Sequence, residues 1–315
     1  MKKLYFIYNP YSGRSANRKN TINSKLFNII DCWVKAGYDV TVRPTQCQGD
    51  AYENVKLACN SNMYDLIVCS GGDGTFNEAV HGIVSSNSSL PIGYIPTGST
   101  NDFARSVSIP KGIEKSALSV VDGKEMLIDY GLFNHKNVFT YVCAFGAFTD
   151  VTYETPQEAK NYMGHTAYVM EAIKHLGDIK NYHIRFKHDG IEHSGEYIVG
   201  MIVNSNSVGG IFSFKDFYMN DGVFDVLLLK KPDNLIQLQN AVTELINFKS
   251  NKVHAECIEH FKTSKLIIDS DEFIKWNLDG EFGGEITHAE IENVHLGLKI
   301  VTKPSKRNNY LLSIE

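Results

Sequence analysis

The segment Ser70-Gly71-Gly72-Asp73-Gly74-Thr75-Phe76-Asn77-Glu78 has residue types and spacing suited to a phosphate. It begins at the carboxyl end of an apolar run, Leu66-Ile67-Val68-Cys69, and opens a helical pattern. Its glycines let the backbone approach a ligand closely and turn successive N–H groups inward. The N-terminus of the following helix adds partial positive charge. The spacing is neither G-x-G-x-x-G nor G-x-x-x-x-G-K-[ST], which excludes the Rossmann and P-loop fingerprints. Asp73 is the informative residue. A carboxylate beside a bound phosphate is repelled unless a cation lies between them, so the loop predicts Mg2+.

Other segments could join it. Asn9-Pro10-Tyr11-Ser12-Gly13 follows a first strand and on its own reads as a common turn. Pro96-Thr97-Gly98-Ser99-Thr100-Asn101-Asp102-Phe103-Ala104-Arg105 follows another strand and offers hydroxyls, an amide and a second carboxylate. In open α/β sheets ligands bind beyond the carboxyl ends of the strands, so three such loops at one edge reinforce one another. Asp129 ends a further strand; alone it reads as a surface or capping aspartate. Later in the chain, Asn277-Leu278-Asp279-Gly280-Glu281 sets two carboxylates around a glycine, and Asp221-Gly222-Val223-Phe224-Asp225 is a turn followed by a strand. On their own both read as plain acidic turns.

The elements that must position these groups can be read from periodicity. Strands are expected at Lys3–Tyr8, Tyr38–Arg43, Asp65–Ser70, Ile92–Ile95 and Met126–Tyr130. Helices are expected from Ile22 to about Val34 and at Asp50–Asn60, Thr75–Ser85 and Ile113–Asp122. The unbroken apolar run at 66–69 suggests a parallel sheet covered on both faces. Beyond Gly131 strand follows strand: Val138–Phe148, Tyr182–Lys187, Tyr197–Asn204, Val223–Lys230, Lys265–Asp269, Phe273–Asn277 and Ile286–Glu292. Helices interrupt them at about Asn161–Leu176 and Pro232–Phe248. This pattern predicts a second, largely antiparallel domain, a sandwich with helical insertions.

Composition sets the outer bounds. With 315 residues, 43% of them hydrophobic and 21% charged, the chain can bury the cores of about two domains. A net charge of −5 gives no electrostatic case for nucleic acid. No apolar run approaches the length of a membrane span. Six cysteines in no metal or disulfide spacing read as reduced thiols of a soluble, intracellular protein.

Taken in order, Asn9-Pro10-x-Ser12-Gly13, Gly71-Gly72-Asp73-Gly74-Thr75-x-Asn77-Glu78, Pro96-x-Gly98-Ser99-x-Asn101-Asp102-Phe103-Ala104-Arg105, Asp221-Gly222 and Asp279-Gly280-Glu281 resemble the diacylglycerol kinase catalytic-domain family of lipid kinases, the soluble bacterial type with sphingosine-kinase relatives. The Gly-Gly-Asp-Gly-Thr piece is shared with NAD kinases and phosphofructokinases. The Asn-Asp-Phe-Ala-Arg piece with the distal Asp-Gly-Glu is more specific.

The resemblance implies an ATP-binding α/β domain of the phosphofructokinase/NAD kinase type over residues 1–130, with a tail from about 304 to 315 packing back on it. It also implies a larger, mostly antiparallel β-sandwich lipid-substrate domain over residues 131–303. ATP would be held by Asn9, Pro10, Ser12, Gly13, Gly71, Gly72, Asp73, Gly74, Thr75, Asn77 and Ser99, together with Thr45 of Thr45-x-x-x-Gly49-Asp50-Ala51. Asp73, Asp102 and Asp129 match the aspartates that hold catalytic Mg2+ through water. Glu281 matches the catalytic base, in a catalytic set that includes Asp279. Asp221, with the carbonyls of Tyr218 and Val223, matches a second, structural Mg2+ site.

Two departures stand out. Ser99 replaces the usual Thr, and residues 213–220 lack the usual Pro-x-Ala pattern. Arg14, Arg18 and Lys19 are the candidates for meeting a lipid headgroup. The implied activity is ATP- and Mg2+-dependent phosphorylation of the free hydroxyl of diacylglycerol or a related lipid, giving phosphatidic acid or its analogue. It would be carried out by a cytoplasmic, peripheral membrane protein, a homodimer, transiently at the inner face of the membrane. The alternatives are a kinase for a soluble substrate such as NAD and a nucleotide-binding regulator without catalysis.

Overall fold

A computed structural model describes residues 1–12, 22–146, 180–210, 212–214, 217–246 and 255–305, with positions 248, 308 and 311. The chain divides into two compact units, residues 1–130 with 295–315, and residues 131–294.

The first unit alternates strand and helix: β1 (Lys2–Tyr8), α1 (Ile22–Lys35), β2 (Tyr38–Pro44), α2 (Asp50–Asn60), β3 (Leu66–Gly71), α3 (Asp73–Ser85), β4 (Ile92–Pro96), α4 (Asp102–Ser106), α5 (Ile113–Val121) and β5 (Lys124–Phe133), which runs on into the second unit. The strands pair in the order β2-β1-β3-β4, all parallel. The end of the last strand, β15 (Glu281–Thr302), joins β4 in parallel through Ile300 and Val301.

Every residue of β3 is buried, as a strand covered on both faces must be. In β1, Leu4, Phe6 and Tyr8 share a core with Ile22, Ile29 and Trp33 of α1 and Ala117 and Val120 of α5. Alternate residues Tyr5 and Ile7 are buried too, on the opposite face of the strand. The Trp33 indole N–H donates to the Ala117 carbonyl at 3.0 Å, so its single polar atom is satisfied inside that core.

Helix α3 starts at Asp73, two residues before the expected Thr75, with Gly72 as its cap. The helix α4 has five residues, too few to leave a periodic trace in the sequence. At the chain's end, the buried Asn308 donates its amide to the Val107 carbonyl at 2.9 Å and accepts from the Ser305 amide, tying this segment onto the turn after α4.

The second unit contains β6 (Asn137–Phe139), β7 (Val142–Gly146), β8 (Tyr182–His188), β9 (Ile191–Val203), β10 (Ser207–Val208), β11 (Phe212–Ser213), β12 (Phe224–Lys230), α6 (Leu235–Ile246), β13 (Ile258–Thr263), β14 (Lys265–Leu278) and most of β15. The pairings among β7, β8, β9, β12, β13, β14 and β15 are antiparallel. Strands β7 and β8 lie end to end between β9 and β14, each pairing with both, so these strands join one sheet. The long strands β9 and β14 make this possible, since each reaches past both short neighbours. The apolar face gathers Phe145, Phe186, Phe224, Val226, Leu228, Ile268 and Trp276 into one core.

Three expectations change here. The strand expected at 138–148 is two strands, broken at Thr140–Tyr141, where the backbone amides turn to a carboxylate described below. The strands expected at Lys265–Asp269 and Phe273–Asn277 are one strand with an irregular register between Asp269 and Ile274. The polar stretch 269–272 reads as a break in the sequence but is an irregular stretch within one strand in the fold. Strand β13 carries His260 and Lys262 and escaped the apolar pattern. The helix expected at 161–176 lies outside the described residues.

Candidate active site

Parallel pairing of β1, β3 and β4 puts the loops that leave Tyr8, Gly71 and Pro96 side by side at one edge of the first unit. Hydrogen bonds stitch them together. The Asn9 amide donates to the Ser70 carbonyl at 2.8 Å and the Thr97 amide to the Gly71 carbonyl at 2.8 Å. The Thr97 hydroxyl donates to Ser12 Oγ at 2.9 Å, and the Asn9 side chain to Thr75 Oγ1 at 3.4 Å. Thr45, buried at the end of β2, joins the cluster by donating its amide to the Tyr8 carbonyl at 2.9 Å. Asn9, Pro10, Ser12, Thr45, Gly71–Thr75 and Ser99 therefore belong to one set of strand-end loops; Gly13, Arg14, Arg18 and Lys19 lie outside the described residues.

Asp73 is the first residue of α3, at the helix N-terminus whose first N–H groups lack intrahelical partners. Its Oδ2 accepts the Thr100 hydroxyl at 3.1 Å and the Asp102 amide at 3.2 Å, which sets the glycine loop and the Asn101-Asp102 turn in register. Asn101 makes that turn. It sits in the left-handed conformation (φ 50°), accepting the Gly98 amide at 2.9 Å and donating to the Gly98 carbonyl at 2.7 Å. Beneath both motifs Phe76 packs 4.3 Å from Tyr94 and 4.3 Å from Phe103, ring centre to ring centre. The Tyr94 hydroxyl donates to the Gly71 carbonyl at 3.2 Å. Burial first, then the charges of Asp73, Cys69 and Asp102, hold that phenol well above its ordinary value. The two loops also approach backbone to backbone, for a Cβ on Gly98 would lie 2.6 Å from Gly72 Cα.

Asp129, fully buried in β5, is held from the chain's return. Its Oδ1 accepts the Leu296 amide at 2.7 Å and faces His295 Nδ1 at 3.0 Å. Leu296 itself has φ 50°, a left-handed conformation that costs a branched side chain free energy. Among the described residues no three His, Cys, Asp or Glu side chains converge to ligate one ion directly. Asp102 and Asp129 are nonetheless fully buried and Asp73 nearly so, and their hard oxygen donors suit Mg2+, which usually keeps several of its waters. Asp73 and Asp102, joined through the Asp102 amide, have donors that suit an ion reached through water.

In the second unit Asp279 and Gly280 (φ 53° and 90°) form the two-residue turn between β14 and β15, with Leu278 paired to Glu281. Asp279 is buried. Its carboxylate accepts the Thr140 amide at 2.5 Å, the Thr140 hydroxyl at 2.8 Å, the Tyr141 amide at 2.9 Å and the Val142 amide at 3.0 Å, while its own amide donates to the Val142 carbonyl at 2.9 Å. Burial pushes this carboxyl above its ordinary value, opposed by those donors. The geometry makes Asp279 an internal clamp, whereas Glu281, two residues on, is exposed. Asp221 lies beside an internal cation: Lys262 Nζ is 3.4 Å from its Oδ2 and 3.3 Å from Asp225, and the Val223 amide donates to Asp221 Oδ1 at 3.4 Å. A divalent ion between Asp221 and the carbonyls of Tyr218 and Val223 would share its carboxylate with an ammonium, so this donor set does not fit a metal as well as the first does.

Sequence reasoning missed Thr97, Thr100, Tyr94 and Thr140 as parts of these sites. Thr97 and Thr100 lie within the Pro96–Arg105 segment, but nothing in the string says that Thr100 meets the Asp73 carboxylate and Thr97 the Ser12 hydroxyl.

The family model of the diacylglycerol kinase catalytic domain matches residues 3–133. Over nearly the full length, the diacylglycerol kinase of Bacillus subtilis is 32% identical across 308 residues, covering 97% of this chain and 98% of the relative. That of Staphylococcus carnosus is 30% identical across 312 residues, covering 99% and 98%. The chain belongs to the diacylglycerol kinase family and is an ATP-dependent kinase. A crystal structure of a diacylglycerol kinase from Bacillus anthracis shares the fold, with a TM-score of 0.74 at 22% identity over 96% of this chain and 97% of that one. Among the described residues no helix is long and apolar enough to cross a membrane.

Proposed function

We propose that the chain transfers the γ-phosphate of ATP to the free hydroxyl of diacylglycerol, forming phosphatidic acid. The observation that carries this reading is the Asp73 carboxylate at the N-terminus of α3, bonded by Thr100 and the Asp102 amide, where three strand-end loops meet. Phosphoryl transfer asks mainly for positioning and charge neutralisation. The amides of Gly71–Thr75 would hold phosphate oxygens, with Asn9, Ser12, Thr45, Asn77 and Ser99 completing the nucleotide's surroundings. Asp73, Asp102 and Asp129 would hold hydrated Mg2+, which supplies neutralisation of phosphate charge when bound.

Glu281 would accept the proton of the attacking lipid hydroxyl. It is exposed, as a group that meets substrate must be, and the Asp279 clamp two residues before it fixes the turn from which it projects. Phe282, next along β15, is 61% exposed, an apolar side chain beside the base and consistent with an acyl substrate. With no spanning helix among the described residues, such a substrate would be met at the membrane surface. The test is transfer from γ-labelled ATP to diacylglycerol in mixed micelles, with Mg2+ and with EDTA. Label in phosphatidic acid only with Mg2+ supports the reading; label in NAD but in no lipid contradicts it.

A further inference from the structure

Glu78 is the last residue of the glycine-loop motif, yet its carboxylate caps a different helix. Its Oε1 accepts the Gly49 amide at 2.9 Å and its Oε2 the Ala51 amide at 3.2 Å. These amides open α2, whose cap, Gly49 (φ 86°), has no side chain to do the capping. A carboxylate from another helix therefore satisfies two of the donors that the N-terminus of α2 leaves over. The segment it holds is short and tethered at both ends. Thr45 is fixed to β1 through the Tyr8 carbonyl, and the Asp50 carboxylate accepts the Gln46 amide at 2.6 Å and the Cys47 amide at 3.3 Å. Glu78 ties the start of α2 to α3, the helix that begins with Asp73, beside ring packing of Tyr52 on His81 at 4.9 Å.

We propose that Glu78 is a positioning residue for nucleotide binding: it locks the Thr45–Ala51 segment to the glycine-loop helix, so that the two loops bind one nucleotide as a preorganised pair. The proposal rests on the reading of Thr45 as a nucleotide contact. Loss of the lock loosens the Gly49–Ala51 end of the segment while the Thr45 amide stays tethered to β1, so the segment is less preorganised for the ligand and affinity falls while the chemistry at saturation stays.

The test is titration of the full chain with ATP and Mg2+, beside steady-state kinetics and thermal unfolding. Glu78→Ala should weaken ATP binding about tenfold, the loss of bonds to a charged acceptor, with kcat at saturating ATP within about twofold. Glu78→Gln keeps one accepting oxygen and should fall between. Thr45→Ala should also weaken binding, and the double variant should lose no more than Glu78→Ala alone, because each removes the same contact. Additive losses overturn the proposal. So does a Glu78→Ala chain that melts earlier yet binds ATP with full affinity, which would make the residue a helix cap and nothing more. A wild-type chain that binds ATP but phosphorylates no lipid contradicts the proposed function instead, and the affinities still decide the coupling.

Discussion

The carboxylate of Asp279 takes both the amide and the hydroxyl of Thr140, at 2.5 and 2.8 Å, and through the next two amides it holds the break between β6 and β7. The role of this aspartate is thereby separable from that of Glu281. Asp279→Ala would strand buried amides and should destabilise the chain by about 2–4 kcal/mol. Urea unfolding checks this. Unchanged stability with lost turnover would instead make Asp279 a group that acts on substrate.

The close approach of Gly98 to Gly72 predicts a second outcome. In Gly98→Ala the new methyl would meet Gly72 Cα at 2.6 Å and Asn101 Oδ1 at 2.9 Å, and both are fixed. The loops must part, so the KM for ATP should rise at least about tenfold while the KM for lipid holds. Steady-state kinetics with each substrate varied in turn checks it.

Leu296 presents its amide to Asp129 from a conformation that suits asparagine better than leucine. Leu296→Asn keeps the amide and relieves the backbone. It should raise stability by about 0.5–1 kcal/mol, measured by thermal unfolding. A lowered melting temperature would show that the half-buried leucine side chain outweighs the strain.

The buried carboxylates give a prediction about the ion. Asp102→Asn removes one charge from the set that would restrain hydrated Mg2+, and the Mg2+ concentration for half-maximal transfer should rise about tenfold. Adding EDTA should abolish transfer from the parent chain. Unchanged Mg2+ dependence in the variant would remove Asp102 from the metal's surroundings.

The first unit was legible because its signals are local. Apolar runs such as 66–69 mark buried parallel strands, and glycine-rich turns mark where they end, so the loop cluster followed from strand order. The onset of α3 at Asp73 was missed because Gly72 and Gly74 mask the first turn from periodicity. The second unit was less legible. Whether 138–148 is one strand depends on a carboxylate about 140 residues away, and whether 265–277 is one strand depends on an irregular stretch that absorbs polar residues. Glu78 shows the same limit: the motif reveals a glutamate, and only the fold shows that its oxygens serve α2.

Glu281 is proposed to take the proton of the attacking hydroxyl. That role is tested most directly by single-turnover transfer of labelled γ-phosphate from ATP to diacylglycerol by Glu281→Gln. The account predicts a rate at least about 10²-fold lower, with ATP affinity and melting temperature unchanged. Transfer at close to the parent rate would contradict it.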